Sequence, residues 1–412
     1  MSPSTGAASP PESGPPPAWQ AGGHLKLQFN GRSFPGDSVF RDVLGRSARE
    51  LDLEARLKLA MASGPWDFQA DAQFLVLHGD ELELADALPG SALPLKRVIG
   101  DDRRWWNLTH SFGDGRTAFV QRLDRLNVGY TTARSSWRFG RQAISWGNGL
   151  LFNPADVFNP FDPAAVDTEY KTGDDMLYGQ YLFGDGSDLQ GVAVVRRDPG
   201  TGATEADQSS LAFKYHGFLG TNEYDFLAAR HYGDGLLGVG GSVGIGGAVL
   251  RGDLTWTDAD REEVISAVAS LGYSWTWGGH NVNGVLEYYH NGFGQHAGDY
   301  ALADLARNPD LLSRLERGEL YTLGRDYLGA SATIEATPLL LVTPNLFVNL
   351  QDPSALAQLV VQWDLAQEAL LLCAVNLPLG PGGSEYGGIE APMDGRYFST
   401  GLSLFAQLAW YF

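Results

Sequence analysis

The chain has 412 residues, 44% hydrophobic and 19% charged, with a formal net charge of −20. That acidity excludes nucleic acid as a natural partner, because phosphates would be repelled. The single cysteine, Cys373, rules out an intrachain disulfide. With no CxxC, CxxCH or Cys/His cluster, structural zinc and covalent haem are set aside and no cofactor is called for.

No apolar run of about 18 residues exists, so no transmembrane helix is predicted. The longest apolar stretches are strand-sized, such as ALLLCAV at 369–375. Residues 1–23, rich in Pro, Ser, Gly and Ala, read as a disordered leader. They lack the charged-then-apolar pattern of a secretory signal. A barrel must first cross the inner membrane, so the expectation is a removed signal or a misassigned start codon.

From residue 24 the dominant pattern is period-2 alternation. In Glu50–Met61, Leu51, Leu53, Leu57 and Leu59 alternate with Asp52, Glu54, Arg56 and Lys58. A strand sends such neighbours to opposite faces. The next segment puts Trp66, Phe68, Phe74 and Val76 on one face and Asp67, Gln69, Asp71 and Gln73 on the other. The pattern recurs to the end, where Leu402, Leu404, Leu408, Trp410 and Phe412 share a face. Strands are predicted near 24–32, 50–63, 65–78, 117–132, 135–146, 175–184, 187–197, 208–218, 222–232, 237–244, 247–257, 265–278, 281–292, 324–337, 339–350, 355–365, 367–377 and 396–412. That is about eighteen, with sixteen left open. In 117–132 the alternation slips, and a bulge is expected.

Tight turns and long links alternate along the chain. Tight ones fall at Gly64-Pro65, Gly220-Thr221 and Pro338, among others. Longer ones fall at 33–49, 79–116, 147–174, 198–207, 258–264, 293–323 and 378–395, and two links on that side, 233–236 and 351–354, are short. A soluble sandwich has no reason to sort its loops this way. An all-β, up-and-down antiparallel transmembrane barrel does, with short turns at the periplasmic rim and long external loops. The predicted organisation is therefore a leader over 1–23 and a single barrel domain over 24–412, with both termini in the periplasm.

The segment 138–163, RFGRQAISWGNGLLFNPADVFNPFDP, stands apart. Its Gly140-Arg141-Gln142 strand followed by Trp146-Gly147 resembles outer-membrane porins, including alginate-export-like barrels. The resemblance covers one strand and loop. It implies passage of a solute, such as a saccharide or organic acid, down its gradient. Read from the residues, loop 147–174 carries Phe152, Phe158 and Phe161 with Asp156 and Asp162, and apolar side chains so close together want burial. The loop is expected to fold into the lumen and narrow it; the alternative is packing over the external mouth.

Charges on membrane strands must avoid lipid. Arg56, Lys58, Arg122, Arg125, Arg138 and Arg141 are therefore expected to face water inside. With Gln142, Asp156 and Asp162, the set Arg56, Lys58, Arg122, Arg138 and Arg141 makes the candidate pore lining. The competing reading is that these cations are internally paired to Asp52, Glu54, Asp67, Asp71 and Asp124. Residues 299–318 read as one or two short amphipathic helices in an external loop, set to cap the pore or to pack on the loop's own strands.

Scattered histidines show no metal-ligand spacing, and no G-x-S-x-G, P-loop or Rossmann glycine pattern stands in a strand–turn–helix context. An enzyme is disfavoured. The expected function is an outer-membrane channel for passive diffusion of a small hydrophilic solute, anionic or saccharide-like. The alternative is a non-conducting scaffold barrel that sheathes or anchors a partner protein. Expected partners are outer-membrane lipid and lipopolysaccharide, the solute, and the barrel-insertion machinery, which would read the last strand ending at Phe412. A homo-oligomer stays open.

Overall fold

The computed structural model describes residues 18–87, 100–295 and 300–412. In chain order the strands are β1 (Ala18–Ser33), β2 (Ser47–Ser63), β3 (Trp66–Gly79), β4 (Thr109–Asp114), β5 (Thr117–Thr131), β6 (Ser135–Gln142) and β7 (Asp174–Leu182). They continue as β8 (Asp188–Val194), β9 (Ser210–Leu219), β10 (Asn222–His231), β11 (Asp234–Ile245), β12 (Ala248–Asp258), β13 (Glu263–Trp277) and β14 (His280–His290). The last are β15 (Asp326–Thr337), β16 (Leu340–Asn349), β17 (Ser354–Ala366), β18 (Ala369–Leu379), β19 (Ile389–Glu390), β20 (Tyr397–Phe398) and β21 (Ser403–Tyr411). Four short helices, α1 (Val39–Leu44), α2 (Asp80–Ala87), α3 (Leu302–Leu305) and α4 (Pro309–Arg317), lie in the long connections.

Among the described residues, eighteen strands pair antiparallel, each with its chain neighbour, and the sheet closes on itself. The seam joins the ends of the chain: β21 pairs β18 on one side and β1 on the other, from His24 opposite Tyr411 to Arg32 opposite Ser403. Closure removes the unpaired strand edges that lipid could not satisfy. The nineteenth strand of the sheet, β4, is a short hairpin arm on the outer half of β5, where β6 has ended. It was not legible in the alternation.

What makes this a membrane barrel is the sense of its two faces. In β2 the leucines at 51, 53, 57 and 59 are exposed while Asp52 and Arg56 are buried. A soluble sandwich would show the reverse. Here the apolar face looks outward all round, and the charged face looks into the lumen. Outward aromatics gather near the tight turns, among them Trp66, Tyr130, Trp137, Tyr181, Trp277 and Trp410, as an interfacial girdle requires.

The tight turns sit between β2 and β3, β5 and β6, β7 and β8, and so on to β17 and β18, and all long links emerge at the other rim. Gly64 (φ +57) makes the first turn beside Pro65, in the left-handed region that glycine enters without cost. The expected bulge is present. Asp71 pairs Arg125 and Ala72 pairs Leu123, so Asp124 is the extra residue and both it and Arg125 turn inward.

Three boundaries differ from expectation. β1 begins at Ala18, so residues 18–23 are strand rather than leader; Ala18 to Gly23 pair with Ala62 to Leu57 and carry the ladder on toward the tight-turn rim. The rest of the expected leader lies outside the described residues. β6 stops at Gln142 instead of residue 146, because the chain then turns inward and Trp146 is buried with its indole N–H on Gln190 (2.7 Å). Tyr397 and Phe398 leave the last strand to pair with Ile389 and Glu390, since Phe398 packs on Phe40.

Candidate functional site: the lumen wall and its inward loop

The loop between β6 and β7, residues 143–173, runs inside the barrel and makes nearly a full circuit of the wall. It starts at Gln190 of β8 through Trp146. Asn148 then meets Asp225 of β10 and Asp253 of β12, its backbone N–H 2.6 Å from the latter. The backbone N–H groups of Leu150, Leu151 and Phe152 all donate to the Glu287 carboxylate on β14, at 2.8, 3.1 and 2.5 Å. Phe152 stacks on Tyr289 and packs against Tyr327 and Phe347. Gly329 of β15 makes room for this: a Cβ there would lie 2.7 Å from the Leu151 side chain. Further on, Gln358 of β17 donates to the Ala164 carbonyl (2.8 Å). Asp167 and Glu169 bind Lys26 of β1 (2.6 and 2.9 Å), and Glu169 accepts from the Tyr411 hydroxyl of β21 (2.9 Å). The loop closes on itself through Lys171 and Asp156 (2.6 Å). It is thus folded inward, with Phe152 and Phe158 buried against the lumen side of the wall and Phe161 left exposed.

The wall itself divides into sectors. On β1 to β6 the lumen side carries Lys26, Arg56, Lys58, Arg122, Arg125 and Arg138. Part of this charge is paired internally. Arg56 binds Asp124 (2.7 Å) and Glu54 (3.2 Å), Arg125 binds Asp124 (2.9 Å), and Arg138 binds Asp67 (2.7 Å). Arg122 donates through Nε to the Gln73 side-chain Oε1, and neither it nor Lys58 contacts a carboxylate among the described residues. The neighbouring sector, β15 to β18 and β21, presents mostly uncharged groups, Thr333 with Thr343, Asn345 with Gln358, and Asn376 with Ser403, with Glu335 and Asp364 on the same parity nearer the tight turns. Across the lumen the acids Asp225, Asp253 and Glu287 are occupied by the loop.

Arg141 corrects the expected pore lining. It shares a face with Trp137 and Phe139, opposite Leu126 and Asp175, and that face is the outer one. It is only 1% exposed. Its guanidinium binds Asp175 bidentately (2.8 and 3.0 Å), Asp101 (2.9 Å) and the Trp106 carbonyl (2.6 Å). The segment 100–108 therefore closes the wall where β6 has ended, and Arg141 is its latch. A charge on the outer face escapes the cost of lipid because two carboxylates neutralise it and the segment covers it. Gln142 is likewise occupied, donating to the carbonyls of Arg138 and Met176 (3.1 and 3.4 Å).

The remaining expected residues separate in role. Asp156 is spent on Lys171, whereas Asp162 is exposed, accepts from the Ala164 N–H (2.8 Å), and meets no cation among the described residues. Sequence reasoning missed Glu287, Lys26 and Tyr170. The first two were legible, each being a charge on the inward parity of an otherwise apolar-faced strand. Tyr170 carried no such signal.

The external loops are tied down by two half-buried carboxyls. The predicted helices at 299–318 appear as α3 and α4. Their Leu305 and Leu311 are buried with Phe293, Tyr300 and Ile389, so they pack among the external loops. Just after α4, Glu319 meets His231 (3.1 Å) and Arg317 (2.9 Å). Burial alone would raise this carboxyl, but His231 and Arg317 outweigh it and hold it down at about 2. Glu385 accepts from the Tyr327 hydroxyl (2.5 Å), Asn349 (2.7 Å) and the Leu323 N–H (2.7 Å). Burial pushes it up to about 6 against those bonds. The two ties respond oppositely to pH. The Glu319 tie is complete above the ordinary 4.5 and is lost as pH falls toward 2. The Glu385 tie is strongest below 4.5 and weakens by about 2 kcal/mol as pH rises past 6. Limited proteolysis is expected to cut near 380–388 faster at pH 7 than at pH 4.5, and near 309–319 faster below pH 4. The same cleavage rates at all three pH values would show that these carboxyls do not hold the loops.

The fold is that of porin-type outer-membrane barrels. Acinetobacter baumannii OccAB1 superposes with a TM-score of 0.57 at 10% identity, over 96% of this chain and 96% of that one. A BenF-like porin from Pseudomonas fluorescens Pf-5 gives 0.54 at 11% identity, over 96% and 98%. The Escherichia coli protein Wzi, described as a carbohydrate-binding β-barrel involved in capsule assembly, gives 0.51 at 10% identity, over 94% and 83%. No protein-family model and no curated protein sequence matches the chain.

Proposed function

We propose that the protein is an outer-membrane channel for passive diffusion of a small hydrophilic solute that carries both an anionic group and hydroxyls, as a sugar acid does. The observation that carries this reading is the pairing of sectors in the lumen wall. Arg122, Lys58 and Arg138 offer cationic contacts, and the adjoining strands offer the amides and hydroxyls of Thr333, Asn345, Gln358, Gln362 and Asn376. Arginine holds carboxylates bidentately, and lumen rings of Arg and Lys favour anions. The barrel likeness to porins supports the channel, and the likeness to a carbohydrate-binding barrel supports the hydroxylated class. The apolar outer face would sit among outer-membrane lipid, with lipopolysaccharide around the external loops. The final strand through Phe412 is the element for insertion machinery to read.

Single-channel recording in a planar bilayer under a salt gradient tests this. Steady conductance with anion preference is expected, and replacing Lys58, Arg122 and Arg138 together by glutamine should move the preference toward cations. A folded barrel with no conductance would overturn the channel and favour a scaffold that anchors a partner.

A further inference from the structure

The end of the inward loop lays one aromatic ring over the basic sector. The Tyr170 ring centroid lies 4.0 Å from the Arg56 guanidinium carbon, 4.6 Å from the Lys58 Nζ and 5.7 Å from the Lys26 Nζ. It also lies 5.4 Å from the His24 ring. The flanking residues fix it there. Asp167 and Glu169 grip Lys26 on one side, and on the other Arg125 donates to the Lys171 carbonyl (2.6 Å). Three cations from two adjacent strands thus converge on one side chain that is neither acidic nor part of the wall.

These cations are not equally compensated. Arg56 has Glu54 and Asp124, and Lys26 has Asp167 and Glu169. Lys58 has the ring, and contacts no carboxylate among the described residues. The electron-rich face of an aromatic ring attracts a cation, but more weakly than an ionised carboxylate or phosphate hydrogen-bonded to it. A ring in this place shields the charge from the lumen, yet an anion of the right reach can take its place. A neutral solute cannot.

We propose that Tyr170 is the specificity-determining lid of the basic wall: its ring covers Lys58 and Arg56 until the anionic group of a solute displaces it. The proposal rests on the channel reading and deepens it, because the lid decides which solutes reach the cations. Neutral and cationic solutes meet an aromatic surface, and anionic ones uncover a second positive site beyond Arg122.

Thiol accessibility tests the lid without requiring that the barrel conduct. In a C373A background, K58C in the refolded full chain is treated with neutral methyl methanethiosulfonate, which a lid that yields only to anions should hold off. Adding Y170A is expected to speed modification by about tenfold, equivalent to about 1.4 kcal/mol of lid closure. Adding Y170F in its place, which keeps the ring, should restore the slow rate. Equal rates with Tyr, Phe and Ala at position 170 would overturn the lid, as would an acceleration by Y170F matching that of Y170A. In bilayers Y170A should raise both conductance and anion preference. Conduction with a selectivity indifferent to Y170A would remove the lid and leave the channel standing, whereas slow, ring-dependent modification of K58C in a non-conducting barrel would do the opposite.

Discussion

Replacing Glu287 with alanine should raise single-channel conductance several-fold and make the inward loop cleavable by protease. This carboxylate is fully buried and accepts three successive backbone N–H groups, from Leu150, Leu151 and Phe152. No regular ladder serves those donors, because the loop has left the sheet. Each buried donor left without a partner costs about 1–3 kcal/mol, and three lose theirs together. The loop's grips on Asp253 through Asn148 and on Lys26 through Asp167 and Glu169 flank this segment but leave its three N–H groups unserved. The segment should move away from β14 and carry Phe152 out of its slot beside Gly329. Glu287→Gln keeps one acceptor oxygen and should fall between. If Glu287→Ala conducts like wild type with the loop still protected, the carboxylate is not the anchor and the Phe152 cluster alone holds the loop.

Arg141→Ala should be the most destabilising single substitution considered. It would strip Asp101 and Asp175 of their shared partner in a site with almost no solvent, and breaking a buried ion pair from one side costs about 3–5 kcal/mol. The measurement is the temperature at which the folded barrel loses its compact gel mobility, together with protease cleavage inside 100–108. A drop of several degrees with early cutting in that segment is expected. The double variant R141A/D175A should recover part of the loss, because it also removes one stranded charge. Wild-type melting by Arg141→Ala would mean that segment 100–108 is held by Trp105 and Trp106 against Phe139 instead.

The wall was legible because a membrane barrel obeys one local rule throughout. Each strand alternates, and every second residue is sorted by whether it meets lipid. All eighteen barrel strands follow from that rule, as does the bulge at Asp124, where the alternation slips within β5. The rule speaks only of parity. Arg141 sits on the lipid parity of β6, and reading it as lumen-facing assumed that no charge could be tolerated there. The covering segment comes from some forty residues earlier in the chain and has no periodic signal. β4 escaped for a related reason, because six residues at the outer rim need not alternate strictly. The inward loop was legible from its crowded phenylalanines, but its partners were not. Which of Asp225, Asp253 or Glu287 a loop N–H will meet depends on the stagger of strands far apart in sequence. The candidate cations were found by type, and their pairing had to be seen: Arg56 is enclosed by Glu54 and Asp124, while Lys58 lies against the Tyr170 ring and Arg122 against the Gln73 side chain.

The circuit of the loop has a consequence for how the barrel is sealed. β1 and β21 are the strands that close the sheet, and the ladder between them is what holds the two ends of the chain together within the barrel wall. The loop fastens that junction from within: Asp167 and Glu169 hold Lys26 of β1, and the same Glu169 holds Tyr411 of β21. One carboxylate from the middle of the chain thus buckles its beginning to its end. Because the buckle needs both strands already side by side, it can fasten only after the cylinder has closed, so docking of this segment marks the completion of assembly and resists the seam's reopening thereafter.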